Sequence, residues 1–260
     1  MLAGKTALIT GSSSGIGLAT AHVLAEQGVN LVLHGLLSES EGEKLAQSFI
    51  EKYSIKAIFD NADLRDANKI NCFMNYAIEQ MNGIDILVNN AGIQYTESIE
   101  RFPDSKWDAI IAVNLTAAFH TIQKSLPTMI KNHWGRIINI ASVHGLVASK
   151  QKSAYCAAKH GLIGLTKVVA LECAEEGVTA NTICPGWVDT PLINDQIADI
   201  AQQQHIDFER AKYQLITSKQ ALPEMLSPRQ VGEFVLFLCT DTAKGITGSA
   251  LPIDGAWTAQ

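Results

Sequence analysis

The sequence predicts an α/β fold in which a parallel sheet of seven strands is wound on both faces by helices, and two observations lead there. Apolar runs of four to six residues, bounded by turn residues, alternate with longer stretches of helical period, which is the pattern of repeated βαβ units. The runs are continuously apolar, as strands covered on both faces require.

The first strand, 6–10, runs into a glycine turn and then a helix over 15–27. Strands at 30–33, 56–59 and 84–88 are each followed by a helix, at 40–52, 66–80 and 103–132. A fifth strand at 136–140 leads to a helix at 153–175, a sixth lies at 179–183, and a helix at 228–238 precedes the last strand, 250–253. One segment breaks the pattern: 191–226 is polar and rich in Gln where a helix should lead straight to the last strand. Ligands of open α/β sheets sit outside the carboxyl ends of the strands, so an insertion after the sixth strand reads as a helical substrate lid, with a surface excursion or an oligomer contact as the alternative. Residues 1–260 make one domain of ordinary size, the lid included.

Composition narrows the function classes. The chain is 47% hydrophobic and 18% charged with a net charge of -6, and its Lys and Arg residues are scattered, so no nucleic-acid or membrane partner is expected. Five cysteines without a Cys-x-x-Cys pair argue against a disulfide framework or a thiolate zinc site, and His22, His34, His120, His133, His160 and His205 show no metal-ligand spacing; they read as structural or exposed. Trp107 and Trp134 read as packing or interface residues. The apolar run after Lys5 is too short for a signal core or a membrane span, and a cytoplasmic location is the expectation.

The turn Thr10-Gly11-Ser12-Ser13-Ser14-Gly15-Ile16-Gly17 sits between a strand and a helix, where glycines bring backbone close to a pyrophosphate at the helix N-terminus. That is the dinucleotide-binding, or Rossmann, arrangement. At the end of the second strand an acidic side chain would bind the ribose hydroxyl of NAD and a basic one the phosphate of NADP. The sequence there is Leu33-His34-Gly35-Leu36-Leu37-Ser38, with neither; apolar Leu36 offers nothing to a phosphate dianion, which favours NAD.

Tyr155 and Lys159 stand four residues apart, on one face of a helix. A free tyrosine is only ~0.1% ionised at neutral pH, and making its phenolate accessible takes roughly 4 kcal/mol, which Lys159 and a positive nicotinamide ring could supply together. In order and spacing, Thr10-Gly11-x-x-x-Gly15-x-Gly17, Asn89-Asn90-Ala91-Gly92, Asn114, Ser142, Tyr155-x-x-x-Lys159 and Pro185-Gly186 resemble the short-chain dehydrogenase/reductase family over essentially the whole chain. The resemblance implies Tyr155 as general acid/base, Ser142 bound to the reacting oxygen, Lys159 on the nicotinamide ribose and lowering the tyrosine pKa, and Asn114 holding a relay water. It implies a cofactor site made of Gly11, Ser13, Gly15, Ile16, Gly17, Leu36, Asp63, Leu64, Asn90, Ala91, Gly92, Val113, Tyr155, Lys159, Pro185, Gly186, Val188 and Thr190.

Gln94, His144, Lys152 and Gln196 should converge near Tyr155 as a donor-rich cluster suited to a carboxylate, while Trp187 and Trp257 close the pocket to long chains. The motifs Asn90–Gln94, Ser142–Ala148, Lys152–Tyr155, Cys184–Val188 and Trp257–Gln260 resemble those of bacterial family members that act on D-3-hydroxybutyrate. This implies oxidation of (R)-3-hydroxybutyrate to acetoacetate with NAD, in a homotetramer. Two departures stand out: Val143, and Ala256 in Asp254-Gly255-Ala256, where the family usually carries a second Gly. Two competing functions are an NADPH-dependent reductase of 3-oxoacyl thioesters or small ketones, and a non-catalytic NAD-binding sensor.

Overall fold

In the computed structural model, residues 2–259 are described, Leu192 through its backbone alone; Gln260, the last residue of the C-terminal motif, lies outside the described residues. The strands β1 (Thr6–Ile9), β2 (Asn30–His34), β3 (Ala57–Asp60), β4 (Ile86–Asn89), β5 (Gly135–Ile140), β6 (Val178–Pro185) and β7 (Ala250–Ile253) form a seven-stranded sheet in the order β3-β2-β1-β4-β5-β6-β7. Each adjacent pair is parallel. The order reverses between β1 and β4, which opens a crevice at their carboxyl ends.

The continuously apolar strands are explained by their period of two. Ala7 and Ile9 of β1, Leu31 and Leu33 of β2, and Ile86 and Val88 of β4 enter one core, with Leu24, Phe49, Val231 and Val235 of the covering helices. Leu8, Val32 and Leu87, from the same strands, enter the other, with Phe73, Met74, Ile122 and Val169. The first face carries α1 (Gly15–Ala25), α2 (Glu39–Tyr53) and α9 (Pro228–Cys239); the second carries α3 (Ala67–Met81), α5 (Ala117–Lys131) and α6 (Ser153–Cys173).

Local chemistry sets the helix ends. Ser38 accepts from the Glu41 amide while the Glu41 carboxylate accepts from the Ser38 amide, so α2 starts one residue before its expected 40. Asp66 caps α3 by accepting from the Asn68 and Lys69 amides, and Ser227 with Gln230 repeats the reciprocal cap on α9.

The helix expected over 103–132 runs unbroken from Asp104 to Lys131, as α4 (Asp104–Ile111) and α5 joined by a single π-turn at Ala112–Thr116, a local swelling that the sequence reading did not foresee. The cause is Asn114, whose side chain accepts from the Ile93 amide at 2.8 Å and donates to the Ile93 carbonyl at 2.9 Å, and the turn swells by one residue to deliver it. Periodicity carries no trace of a pairing made across 21 residues.

The segment 191–226 holds two helices, α7 (Pro191–Gln204) and α8 (Phe208–Thr217). Pro191 opens the first, and Asp207 caps the second by accepting from the Arg210 amide. A single parallel bridge, Val188 to Leu226, joins the two roots of the excursion.

Ala256, the departure noted in the sequence, sits at φ +67°. A β-carbon is unfavourable in this left-handed region, so Ala256→Gly should stabilise the fold by about 1 kcal/mol and raise Tm by roughly 2–4 °C, as read by calorimetry.

Candidate active site

The crevice at the switch point is a cleft of about 840 Å³. It is lined by Gly11, Ser13, Gly15, Ile16, Leu36, Asp63, Leu64, Asn90, Ala91, Gly92, Val113, Tyr155, Lys159, Pro185, Gly186, Val188 and Thr190. Gly17 alone of the expected cofactor residues is off the lining, because it lies beneath the turn: a β-carbon there would stand 2.3 Å from the Gly11 carbonyl oxygen and 2.5 Å from Asn90 Nδ2. A glycine is therefore required for α1 to approach the turn. Gly11 itself holds φ +66°.

The turn is clasped to the β4 end by Thr10, whose hydroxyl accepts from the amides of Asn90 and Ala91, each at 3.0 Å. Asn90 returns its side-chain amide to the carbonyls of Thr10 (2.9 Å) and Gly11 (3.0 Å). At the head of α1, Ser14 makes no side-chain cap and the first turn has no acid, so its amides keep their donor capacity and their positive end for an anion. Cleft, close-packed glycine turn and uncapped helix end together fit the pyrophosphate of a dinucleotide.

His34, read from sequence as structural or exposed, is buried and ties this region together. Its Nδ1 accepts from the Gly11 amide at 3.1 Å, which leaves the proton on Nε2 to donate to the Ala62 carbonyl at 2.8 Å. Its backbone carbonyl accepts from the Ser12 amide at 2.7 Å. Nearby, Leu36 lines the cleft at 77% exposure. Arg65, which the sequence reading did not single out, also lines it, but its guanidinium is paired with Asp63 and holds that carboxyl down at about 2.

At the opposite end, Ser142 follows β5, and Tyr155 and Lys159 project from one face of α6. Burial pushes the Tyr155 phenol up to about 12, against a hydrogen bond from Ser142 that pulls the other way. The Lys159 ammonium does not reach the phenol directly: it stands 5.6 Å from the ring centroid and donates to the Ile140 carbonyl at 2.8 Å. Burial lowers Lys159 to about 8. A cavity of about 10 Å³, scarcely more than one water's space, is lined by Thr10, Asn89, Asn114 and Lys159 among others.

The expected substrate residues split into two groups. Gln94, Ser142 and Tyr155 line the cleft, while His144, Lys152, Trp187 and Trp257 form an aromatic-walled recess behind it. Trp187 and Trp257 lie 5.2 Å apart, and His144 lies 5.5 Å from Trp257 and 5.9 Å from Tyr155. Half-buried Lys152 donates to Gln94 Oε1 at 3.4 Å and its ammonium lies 6.0 Å from the Trp187 ring. Burial lowers its pKa, and no carboxylate among the described residues pairs with it. Val143, Ile193, Leu215, Ile216 and Met225 pack on the two indoles, so the excursion rests on the recess. Gln196 stands on α7, half-buried, outside the cleft lining.

His144 is buried and its imidazole is pushed down to about 4, first by burial and then by the Lys152 and Lys219 charges. Against an unfolded value of 6.5, the neutral ring contributes stability that is complete above pH 6.5 and is lost as pH falls toward 4. The contribution is on the order of 3 kcal/mol. Replacing His144 with Gln should flatten the fall in unfolding free energy between pH 7 and about 4.5, measured by denaturant titration; an unchanged slope would show that the ring is already protonated.

The short chain dehydrogenase family pattern matches residues 5–201. A D-beta-hydroxybutyrate dehydrogenase of Cupriavidus necator is 50% identical over 261 aligned residues, covering 100% of both chains. A protein of the same name from Rhizobium meliloti is 49% identical, covering 98% of this chain and 99% of its own. Among solved structures, L-sorbose reductase of Gluconobacter frateurii, complexed with NADPH and L-sorbose, superposes with a TM-score of 0.94 at 28% identity, over 100% of this chain and 98% of its own.

Proposed function

The chain belongs to the short-chain dehydrogenase family, and from that premise we propose that it interconverts (R)-3-hydroxybutyrate and acetoacetate with NAD. Lys152 is the observation that carries this reading. A half-buried ammonium with no acid of its own, beside a Gln94 amide and behind the reacting groups, asks for an anion a few bonds from the carbon that reacts. A thioester would leave that charge uncompensated, which costs several kcal/mol. The two full-length relatives named for D-beta-hydroxybutyrate support the same acid.

When bound, the oxidised cofactor supplies the hydride acceptor and a positive ring charge. The chain's own residues hold and move the proton. Ser142 donates its hydroxyl proton to the reacting oxygen. Tyr155, protonated as the site is built, gives its proton to the ketone in reduction and takes the hydroxyl proton in oxidation. Lys159, poised near 8, lies between the phenol and the small Asn114-lined cavity and passes the proton outward. Leu36 leaves the ribose end without a partner for a phosphate, and Arg65 is committed to Asp63, which favours NAD. Lys152 and Gln94 grip the carboxylate, Trp187 and Trp257 limit chain length, and α7 with α8 closes over the acid.

A homotetramer is supported by exposed Phe119 on α5 and Val168 and Leu171 on α6, an apolar outer face suited to a second copy. No helix among the described residues is long and apolar enough to cross a membrane. All five cysteines are unpaired, which supports a reducing, cytoplasmic setting.

The test is to follow reduced-cofactor absorbance with (R)- and (S)-3-hydroxybutyrate, acetoacetate and a 3-oxoacyl thioester, each with NAD(H) and NADP(H). Turnover of the (R)-acid with NAD is expected. Activity confined to the thioester with NADPH would overturn the proposal.

A further inference from the structure

We infer that His34 is a positioning residue for the cofactor: its side chain bridges the Gly11 amide and the Ala62 carbonyl, and so holds the pyrophosphate turn and the 62–65 loop at one spacing in the cleft. The inference rests on the dinucleotide reading of that cleft and is independent of the choice of acid. The ring is buried, belongs to a residue that borders the cleft, and takes no part in the proton chemistry. Its Nδ1 accepts from the Gly11 amide at 3.1 Å, and its Nε2 donates to the Ala62 carbonyl at 2.8 Å. Phe73, itself buried, packs on the imidazole with 5.4 Å between ring centroids and fixes its orientation.

Both bonded groups stand where the sheet gives them little hold. Gly11 lies beyond the last residue of β1 at φ +66°, which turns its amide out of the ladder and toward the ring. Ala62 follows β3, an edge strand with β2 as its one neighbour in the sheet, and Asp63, Leu64 and Arg65 after it line the cleft. Main-chain bonds already set the end of β2 beside the turn: the His34 amide donates to Ser12 Oγ at 2.9 Å, and the Ser12 amide donates to the His34 carbonyl at 2.7 Å. Those bonds reach neither Gly11 nor Ala62, so it is the side chain that ties the two together.

A dinucleotide touches the turn and the loop within one molecule. Where the two already stand at the right spacing, binding does not have to order them, and affinity rises without a new contact to the ligand. The proton chemistry lies elsewhere, with Ser142 after β5 and with Tyr155 and Lys159 on α6. His34 therefore governs how tightly the cofactor is held and not how fast the held cofactor reacts. The same two bonds occupy both ring nitrogens, which leaves no donor for a phosphate on the ribose. Burial disfavours the charged form of the ring against the pull of Asp60 and Asp63. His34 thus joins Leu36 in favouring NAD.

His34→Leu and His34→Asn test this. Leucine keeps apolar bulk beside Phe73 and makes neither bond, whereas asparagine places a carbonyl oxygen near the position of Nδ1 and can still accept from Gly11. In His34→Leu, NADH binding by fluorescence titration and ADP binding by calorimetry should each weaken about tenfold, with kcat at saturating NAD within about twofold of wild type. In His34→Asn both affinities should return to within about threefold of wild type. A merely structural role would lower Tm and leave the affinities of the folded protein unchanged. NMR of isotope-labelled imidazole nitrogens in the ligand-free wild type, with the His34 signals assigned by their loss in His34→Asn, should show the Nε2–H form. An Nδ1–H ring, or a leucine variant that binds NADH and ADP as wild type does, would overturn the inference. These measurements need no hydroxy acid, so they fail separately from the substrate assignment; a wild type that binds neither NADH nor ADP would overturn the dinucleotide reading and the role of His34 with it.

Discussion

Replacing Tyr155 with Phe should lower kcat for 3-hydroxybutyrate by about 10³-fold while leaving NADH affinity within about twofold. The phenol stands on the rim within hydrogen-bond reach of Ser142, placed to exchange a proton with an oxygen that Ser142 also touches. Burial raises its pKa to about 12, which keeps the phenol protonated and makes its phenolate costly, whether formed by giving up the proton in reduction or required as the base in oxidation. Both directions therefore lean on positive charge nearby, and Lys159 stands 5.6 Å from the ring centroid. Phenylalanine keeps the ring contact with His144 and removes the proton, so the fold and the cofactor cleft should be undisturbed. Steady-state rates and a fluorescence titration with NADH separate the two quantities. Substantial residual turnover would mean that another group carries the proton.

Lys152→Ala should raise KM for 3-hydroxybutyrate by roughly 30- to 100-fold, the loss of one or two charge-assisted hydrogen bonds, with kcat changed by only a few-fold. The cation lies behind Gln94 and away from the turn that receives the cofactor, so KM for NAD should not move. Butan-2-ol, which has the reacting carbinol and no carboxylate, should be an equally poor substrate for wild type and variant. If KM for the acid were unchanged, the charged end must bind elsewhere, and the proposed substrate would fall with it.

Much of this architecture could be read without coordinates. Every strand lies within two residues, at each end, of the apolar run that predicted it; for the inner strands the cause is burial on both faces, while the edge strands β3 and β7 are only partly covered. The long helix was legible, but its internal π-turn was not, because that turn accompanies Asn114 bonding to the backbone of Ile93, a contact of one side chain with distant main chain that periodicity does not encode. The helices of the excursion were legible only as a polar interruption, although Pro191 and Asp207 mark their starts. The glycine turn at the cleft was legible because Gly11 holds a positive φ and Gly17 has no room for a β-carbon. His34 was not, because the sequence shows a histidine at a strand end and says nothing of the Gly11 amide and Ala62 carbonyl that use its two nitrogens. Spacing correctly put Tyr155 and Lys159 on one face, but it could not show the Ile140 carbonyl that holds the ammonium back.

The clasp between Thr10 and the Asn90–Ala91 amides joins residues 80 and 81 positions apart. Closing a loop of that length costs chain entropy that the clasp and its strands must offset. A dinucleotide that binds only the closed turn therefore stabilises the folded chain by mass action, and unfolding should be harder in proportion to the logarithm of its concentration above Kd.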